Sequence, residues 1–160
     1  MTAITHYFMS ERQESLLFIL LGALAIVLAL LFISYIHKPF YSGIAYAIAA
    51  IALIQLIVGF TVYIRSPKDI VRVENFIQNE PAKIQSIEIP RMHAVMKNFE
   101  LYKYIELTLI LIGIVCFLFL KNNLIQGIGL GLIIQSTIML FLDFAAVARA
   151  ATYLQFLQNL

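Results

Sequence analysis

At 160 residues the chain has the length of one domain, with 62% hydrophobic residues, 12% charged residues and a net charge of +2. A soluble domain carries about 25% charged residues, so this one cannot cover a water-facing surface of ordinary polarity, and its charge is too small for a nucleic-acid-reading face. That excludes an ordinary soluble enzyme, a disordered regulator and a nucleic-acid binder, while a single cysteine, Cys116, excludes an intramolecular disulfide and a cysteine-based metal cluster.

Taken from the N-terminus, Ser10 and Gln13 form an S-x-x-Q box that predicts a helix start. The first apolar run, residues 16–36, has no charged residue. It is longer than the apolar part of a signal peptide and no small-residue cleavage site follows it, so it is expected to stay in the protein. A short connection with Pro39 leads to residues 43–64, again without charge and broken mainly by Gln55. Each run has the roughly 20 residues that a helix needs to cross about 30 Å of hydrocarbon.

Residues 66–103 are too long for a turn and too apolar for a tail. Ser66, Pro67 and Asp69 read as a helix start, with Ser66 as cap and Pro67 in the first turn. Ile70, Val73 and Ile77 then recur on one side, predicting a short amphipathic helix at the membrane surface that ends near Pro81. Pro90 reads as the next start, and no strong breaker follows before Leu120. One helix of about 45 Å is expected, whose first part forms a stalk. Its apolar stripe needs cover from the amphipathic segment, the C-terminal helix or another subunit.

The third span, residues 104–120, carries Glu106 near its start. Lys121, Asn122 and Asn123 force a tight antiparallel return. The fourth span, residues 124–148, carries Gln135 in its middle and Asp143 near its end, with Arg149 just beyond. The expected fold is all-α: one membrane domain over 1–160, a four-transmembrane-helix bundle with a helical connection between spans two and three. The runs do not alternate as barrel strands would.

Nine of the eleven lysines and arginines fall with the termini and the long connection, and two, Lys38 and Lys121, fall on the other side. The positive-inside rule therefore places both termini and the connection in the cytoplasm. Small residues at spacing four mark close helix approach, as in Ala25 with Ala29 and Ala45 with Ala49. Gly127, Gly129 and Gly131 cover more than one face of span four. One face is expected to meet span three and another to pack inside the bundle or against a second copy.

Ionisable groups inside a span are functional candidates by default. Glu106, Asp143 and Arg149 lie near the same end, joined as ligand- or ion-binding candidates by Gln55 and Gln135. Arg149 is expected to reach Glu106 or a carboxylate of the connection, such as Glu100, because six residues separate it from Asp143. These groups read either as interfacial anchors or as the lining of a cytoplasm-facing cavity for a ligand, headgroup or proton. His6, His37 and His93 are scattered, so no metal site and no cofactor is expected. Ser136 and Cys116 have no histidine in any span to activate them, so no catalytic residue is assigned.

Three functions stay open on these residues. One is a non-enzymatic oligomer or subunit of a membrane assembly, with the lipid bilayer and a second copy or membrane partner as its contacts. Another is a proton- or ion-coupled transporter or channel using Glu106 and Asp143. The third is an enzyme on a lipid-soluble substrate, which requires a cavity beside Glu106, Asp143 and Arg149.

Overall fold

A computed structural model describes residues 3–160. The chain forms four long helices: α1 (Ala3–Leu31), α2 (Pro39–Asn79), α3 (Ile89–Phe119) and α4 (Asn123–Gln158). No strand occurs among the described residues. All four helices are long and apolar enough to cross a membrane. Single π-helical turns, Phe32–Ile36 and Ile84–Glu88, follow α1 and precede α3.

The connections explain themselves locally. His37 ends the first turn in the left-handed region (φ 50°), Lys38 is extended, and Pro39 opens α2 with its ring-fixed φ. Asn122 caps α4, its side chain accepting from the backbone of Leu124 at 2.9 Å and Ile125 at 3.3 Å. Both connections lie at one end of the molecule. The opposite end carries most of the charge.

Packing runs in the order α1, α2, α4, α3, with α1 also meeting α4. Apart from isolated contacts, α3 leans on α4 and on the turn that leads into it, and does not pack along α1 or α2. At 41 residues, α2 is about 60 Å long, twice a bilayer's hydrocarbon core. The chemistry of packing changes along that length. At the charged end, large side chains turn inward: Ile4, Tyr7, Phe8, Val73, Phe76, Met92, Tyr153 and Leu157 form one buried cluster drawn from all four helices. Toward the other end, Leu20, Leu24, Ile54, Ile57, Leu111, Leu118 and Phe141 turn outward. Glycine and alanine hold the inside there: Ala29 and Ala45 are buried with Ile44 and Ile48, and Ala49 packs at the edge. Ala25 is also buried.

Three expectations are corrected, and one left open is decided. Ser66 and Pro67 start no helix, and residues 66–79 form no separate amphipathic helix, because α2 runs through them with Pro67 inside it. Proline costs a helix one backbone bond, but continuing α2 places Val73 and Phe76 in the core. The Ser66 hydroxyl instead turns back to the Val62 carbonyl (2.8 Å) and Glu11 Oε2 (2.9 Å), sharing its one hydrogen. Ser10 lies well inside α1 and starts nothing, since the residues before it are held by Tyr7 and Phe8 in the core. The face of α4 offered to a second copy is covered from within the chain: a side chain at Gly127 would meet Phe40 and Gly43 of α2, one at Gly131 would meet Ala47 and Ile44 of α2, and one at Gly129 would meet Gly113 and Cys116 of α3. Finally, Arg149 reaches neither Glu106 nor Glu100, as described next.

Candidate functional site

Polar side chains form three layers between the helices. The deepest is a chain of amides. Gln135 Nε2 of α4 donates to Gln55 Oε1 of α2 (2.7 Å), and Gln55 Nε2 donates to the Phe18 carbonyl of α1 (3.0 Å). Both glutamines are buried. Without water the backbone and amides must satisfy one another. Gln135→Leu removes the donor to Gln55 and is expected to cost about 1 kcal/mol. The thermal midpoint, followed by circular dichroism against Gln126→Leu, checks this.

The middle layer holds the acids. Glu106 on α3 and Asp143 on α4 are both buried. Arg149 spends its guanidinium elsewhere: both Nη atoms donate to the two carboxylate oxygens of Glu14 on α1, a fork-to-fork pair. Glu14 lay outside the predicted set because 135 positions separate it from Arg149. Nearby, Arg12 donates to the Tyr63 hydroxyl at 3.0 Å and lies over its ring at 4.5 Å. Asp69 lies between Arg65 (3.0 Å) and Arg72 (2.8 Å), and Arg65 also meets Glu11 at 3.2 Å. Arg149→Lys keeps the charge but loses the fork. It is expected to lose about 1 kcal/mol of the pair's coupling, read from a double-mutant cycle with Glu14→Gln.

The third layer centres on Glu88, which sequence reasoning missed. It is fully buried in the π-helical turn before α3. Arg91 holds it through Nε (3.0 Å) and Nη2, Arg72 through Nη2 (3.3 Å), and the Tyr153 hydroxyl donates to it at 3.3 Å. Tyr153 stacks on Tyr7 with centroids 4.1 Å apart, and the Tyr7 hydroxyl points to the Met92 sulfur. Burial holds both phenols above their ordinary range, helped by the negative charge of Glu11 at Tyr7 and Glu88 at Tyr153. They therefore stay neutral and able to donate. Burial pulls the Arg91 guanidinium down, but the hydrogen bonds and charge of Glu88 outweigh it and hold the group above its ordinary value. The E-x-x-R spacing of Glu88 and Arg91 just before a long apolar helix was the one available signal.

The two hollows of note lie away from the acids. One of about 240 Å³ is a shallow apolar depression on α3, lined by Tyr104, Ile105, Thr108 and Leu109. The other, of about 250 Å³, is lined by Ile77, Pro81, Ile84, Gln85 and Leu160 at the charged end. Neither is lined by Glu106, Asp143 or Arg149. Among the described residues no three His, Cys, Asp or Glu side chains converge as metal ligands would. No family model, curated protein or solved structure matches this chain.

Proposed function

We propose that the protein crosses a membrane four times, keeps both termini and the charged end of the bundle in the cytoplasm, and works as a non-enzymatic oligomer or subunit of a membrane assembly. The change in packing along the helices carries this reading. Large apolar groups turn inward at the charged end, where water drives them together. They turn outward beyond it, where small residues hold the helices. Lipid gives helices no hydrophobic reason to meet, and close approach through glycine and alanine replaces it. The lysine and arginine excess at the charged end supports the orientation.

Contact rather than chemistry suits the rest of the molecule. Arg149 and Glu88 are consumed by pairs inside the bundle. The two hollows leave the acids unlined. By contrast α3 offers a long uncovered apolar side, with Leu101, Leu111, Val115 and Leu118 exposed. Detergent-corrected mass is the test. The expected particle is a multiple of the 18.1 kDa chain, or one chain with a stoichiometric membrane partner. A bare monomer at every concentration overturns the subunit reading. Release from membranes by carbonate overturns the membrane reading itself.

A further inference from the structure

Among the described residues, Arg65, Arg72, Arg91 and Arg149 each meet a carboxylate, and Arg12 meets none. Arg12 donates through Nη2 to the Tyr63 hydroxyl at 3.0 Å, and its guanidinium lies 4.5 Å over that ring. Its Nε is buried and has no hydrogen-bond partner. The neighbouring acids of α1 and α2 are spent elsewhere. Glu11 serves Arg65 and Ser66, Glu14 serves Arg149, and Asp69 serves Arg65 and Arg72. A guanidinium stays charged, so the contact between α1 and α2 holds a positive charge that none of these acids neutralises.

Depth decides what can reach that charge. Residues 16–36 and 43–64 carry no charge. Arg12 lies four residues before the first run, about 6 Å along α1, and Tyr63 lies in the last turn of the second. The bond between them puts both helices at one depth, the headgroup layer, which adds about 5–8 Å on each side of the hydrocarbon. Both side chains are half-buried, so part of the pair is open to that layer. The pair offers hydrogens only. The Tyr63 oxygen accepts from Arg12, and its own O–H has no acceptor among the described residues; Arg12 keeps the hydrogens of Nη1. A guest there must accept hydrogen bonds and carry negative charge. Toward the hydrocarbon, Leu16, Leu20 and Phe60 are exposed. Leu16 and Leu20 follow Arg12 at spacing four, and Phe60 precedes Tyr63 by three, so an apolar strip leads away from the pair on both helices.

We propose that Arg12 and Tyr63 form a binding site for an anionic phospholipid of the cytoplasmic leaflet, whose phosphodiester accepts from both side chains and whose acyl chains lie along Leu16, Leu20 and Phe60. The proposal rests on the four-span reading above, which sets the depth of the pair. A planar guanidinium matches the paired oxygens of a phosphate. The cytoplasmic leaflet carries anionic lipids and draws basic groups to its surface. A zwitterionic lipid brings its own ammonium beside Arg12 and leaves less net attraction. Inorganic phosphate has the same acceptors but no chains to cover the apolar strip.

Native mass spectrometry of the full chain, held in a mild detergent and incubated with defined lipids, tests this. The wild type is expected to retain phosphatidylglycerol in preference to phosphatidylcholine. Arg12→Met is expected to lower that retention about fivefold. Tyr63→Phe keeps the ring, loses the hydroxyl and is expected to lower it about threefold. Lys97→Gln removes an exposed lysine of α3 and is expected to leave it unchanged. Equal retention of the two lipids, or equal losses in Arg12→Met and Lys97→Gln, overturns the proposal. So does displacement of the lipid by millimolar inorganic phosphate, which marks a free-anion site. Loss of a dimer in place of lipid in Arg12→Met marks a contact between copies and overturns it too. If Arg12→Met loses helical circular dichroism, Tyr63→Phe decides alone, and unchanged retention there sinks the site. Carbonate extraction separates the two failures: chain that stays in the pellet yet retains no phosphatidylglycerol sinks the lipid site only.

Discussion

Glu88→Ala is expected to destabilise the protein by about 3 kcal/mol, with a fall in thermal midpoint of the order of 10 °C. Glu88 is fully buried and receives three donors from three elements: Arg91 of α3, Arg72 of α2 and Tyr153 of α4. Removing it leaves the Arg91 guanidinium and the Tyr153 phenol without their acceptor at the centre of the charged-end core, and leaves Arg72 with Asp69 alone. Breaking a buried pair from one side costs about 3–5 kcal/mol, because the remaining charge stays buried and unpaired. The low end applies here, since water still reaches part of Arg72 and Arg91. Removing both sides relieves the penalty, so Glu88→Ala combined with Arg91→Met is expected to lose less than the sum of the two changes. Glu80→Ala is the comparison: its partner Lys83 sits at 2.6 Å, but both side chains are more than two-fifths exposed. Its effect is expected below about 0.5 kcal/mol. Thermal melts followed by circular dichroism read all of these. Equal midpoints for Glu88→Ala and Glu80→Ala contradict the assignment.

Gly127→Ala is expected to cost about 3 kcal/mol, or to abolish stable folding, while Gly22→Ala stays within about 0.5 kcal/mol of the parent. The difference lies in what a new methyl group meets. At Gly127 it would run into the Phe40 carbonyl and come within 3.1 Å of Gly43 Cα. At Gly43 it would meet the Leu124 carbonyl and the Ile128 backbone nitrogen at 2.8 Å. Here the backbones of α2 and α4 touch, and backbone cannot turn aside. The helices must separate, undoing the close approach that replaces hydrophobic burial. At Gly22 the methyl group meets only a side chain at close range, Leu56, with Cγ at 3.1 Å and Cδ2 at 3.2 Å, and that side chain can give by the few tenths of an ångström needed. Alanine also gains about 1 kcal/mol of helix propensity over glycine, which offsets the crowding. Resistance to unfolding in denaturing detergent ranks the variants. A Gly127→Ala protein as stable as Gly22→Ala contradicts the contact between α2 and α4.

Local signals were strongest where length and solvent set the answer. An apolar stretch of some twenty residues has few ways to satisfy its backbone without water, so four helices were legible from residues 16–36, 43–64, 104–120 and 124–148 alone. Pro90 and the Lys121–Asn123 return marked ends correctly for the same local reason: a missing N–H and a run of polar turn residues. The small residues were legible as packing surfaces, but not which helix each would meet. Glycine reports that something comes close, not what.

Three-dimensional packing chose the rest. Ser66 and Pro67 carry a strong local start signal, and it lost to the burial of Val73 and Phe76 on a continuous α2. Tyr7 and Phe8 gave no pattern of their own, because their partners lie on α3 and α4. The pairing of Arg149 with Glu14 joins the two ends of the chain, and Glu88 gathers charges from separate helices. The short return lays α3 antiparallel on α4, with Gly113 against Gly129. Arg149 found its partner through the order α1, α2, α4, α3, which helix lengths and spacings do not encode. Long runs of apolar residues make this chain helical; which faces meet depends on contacts between residues far apart in the chain.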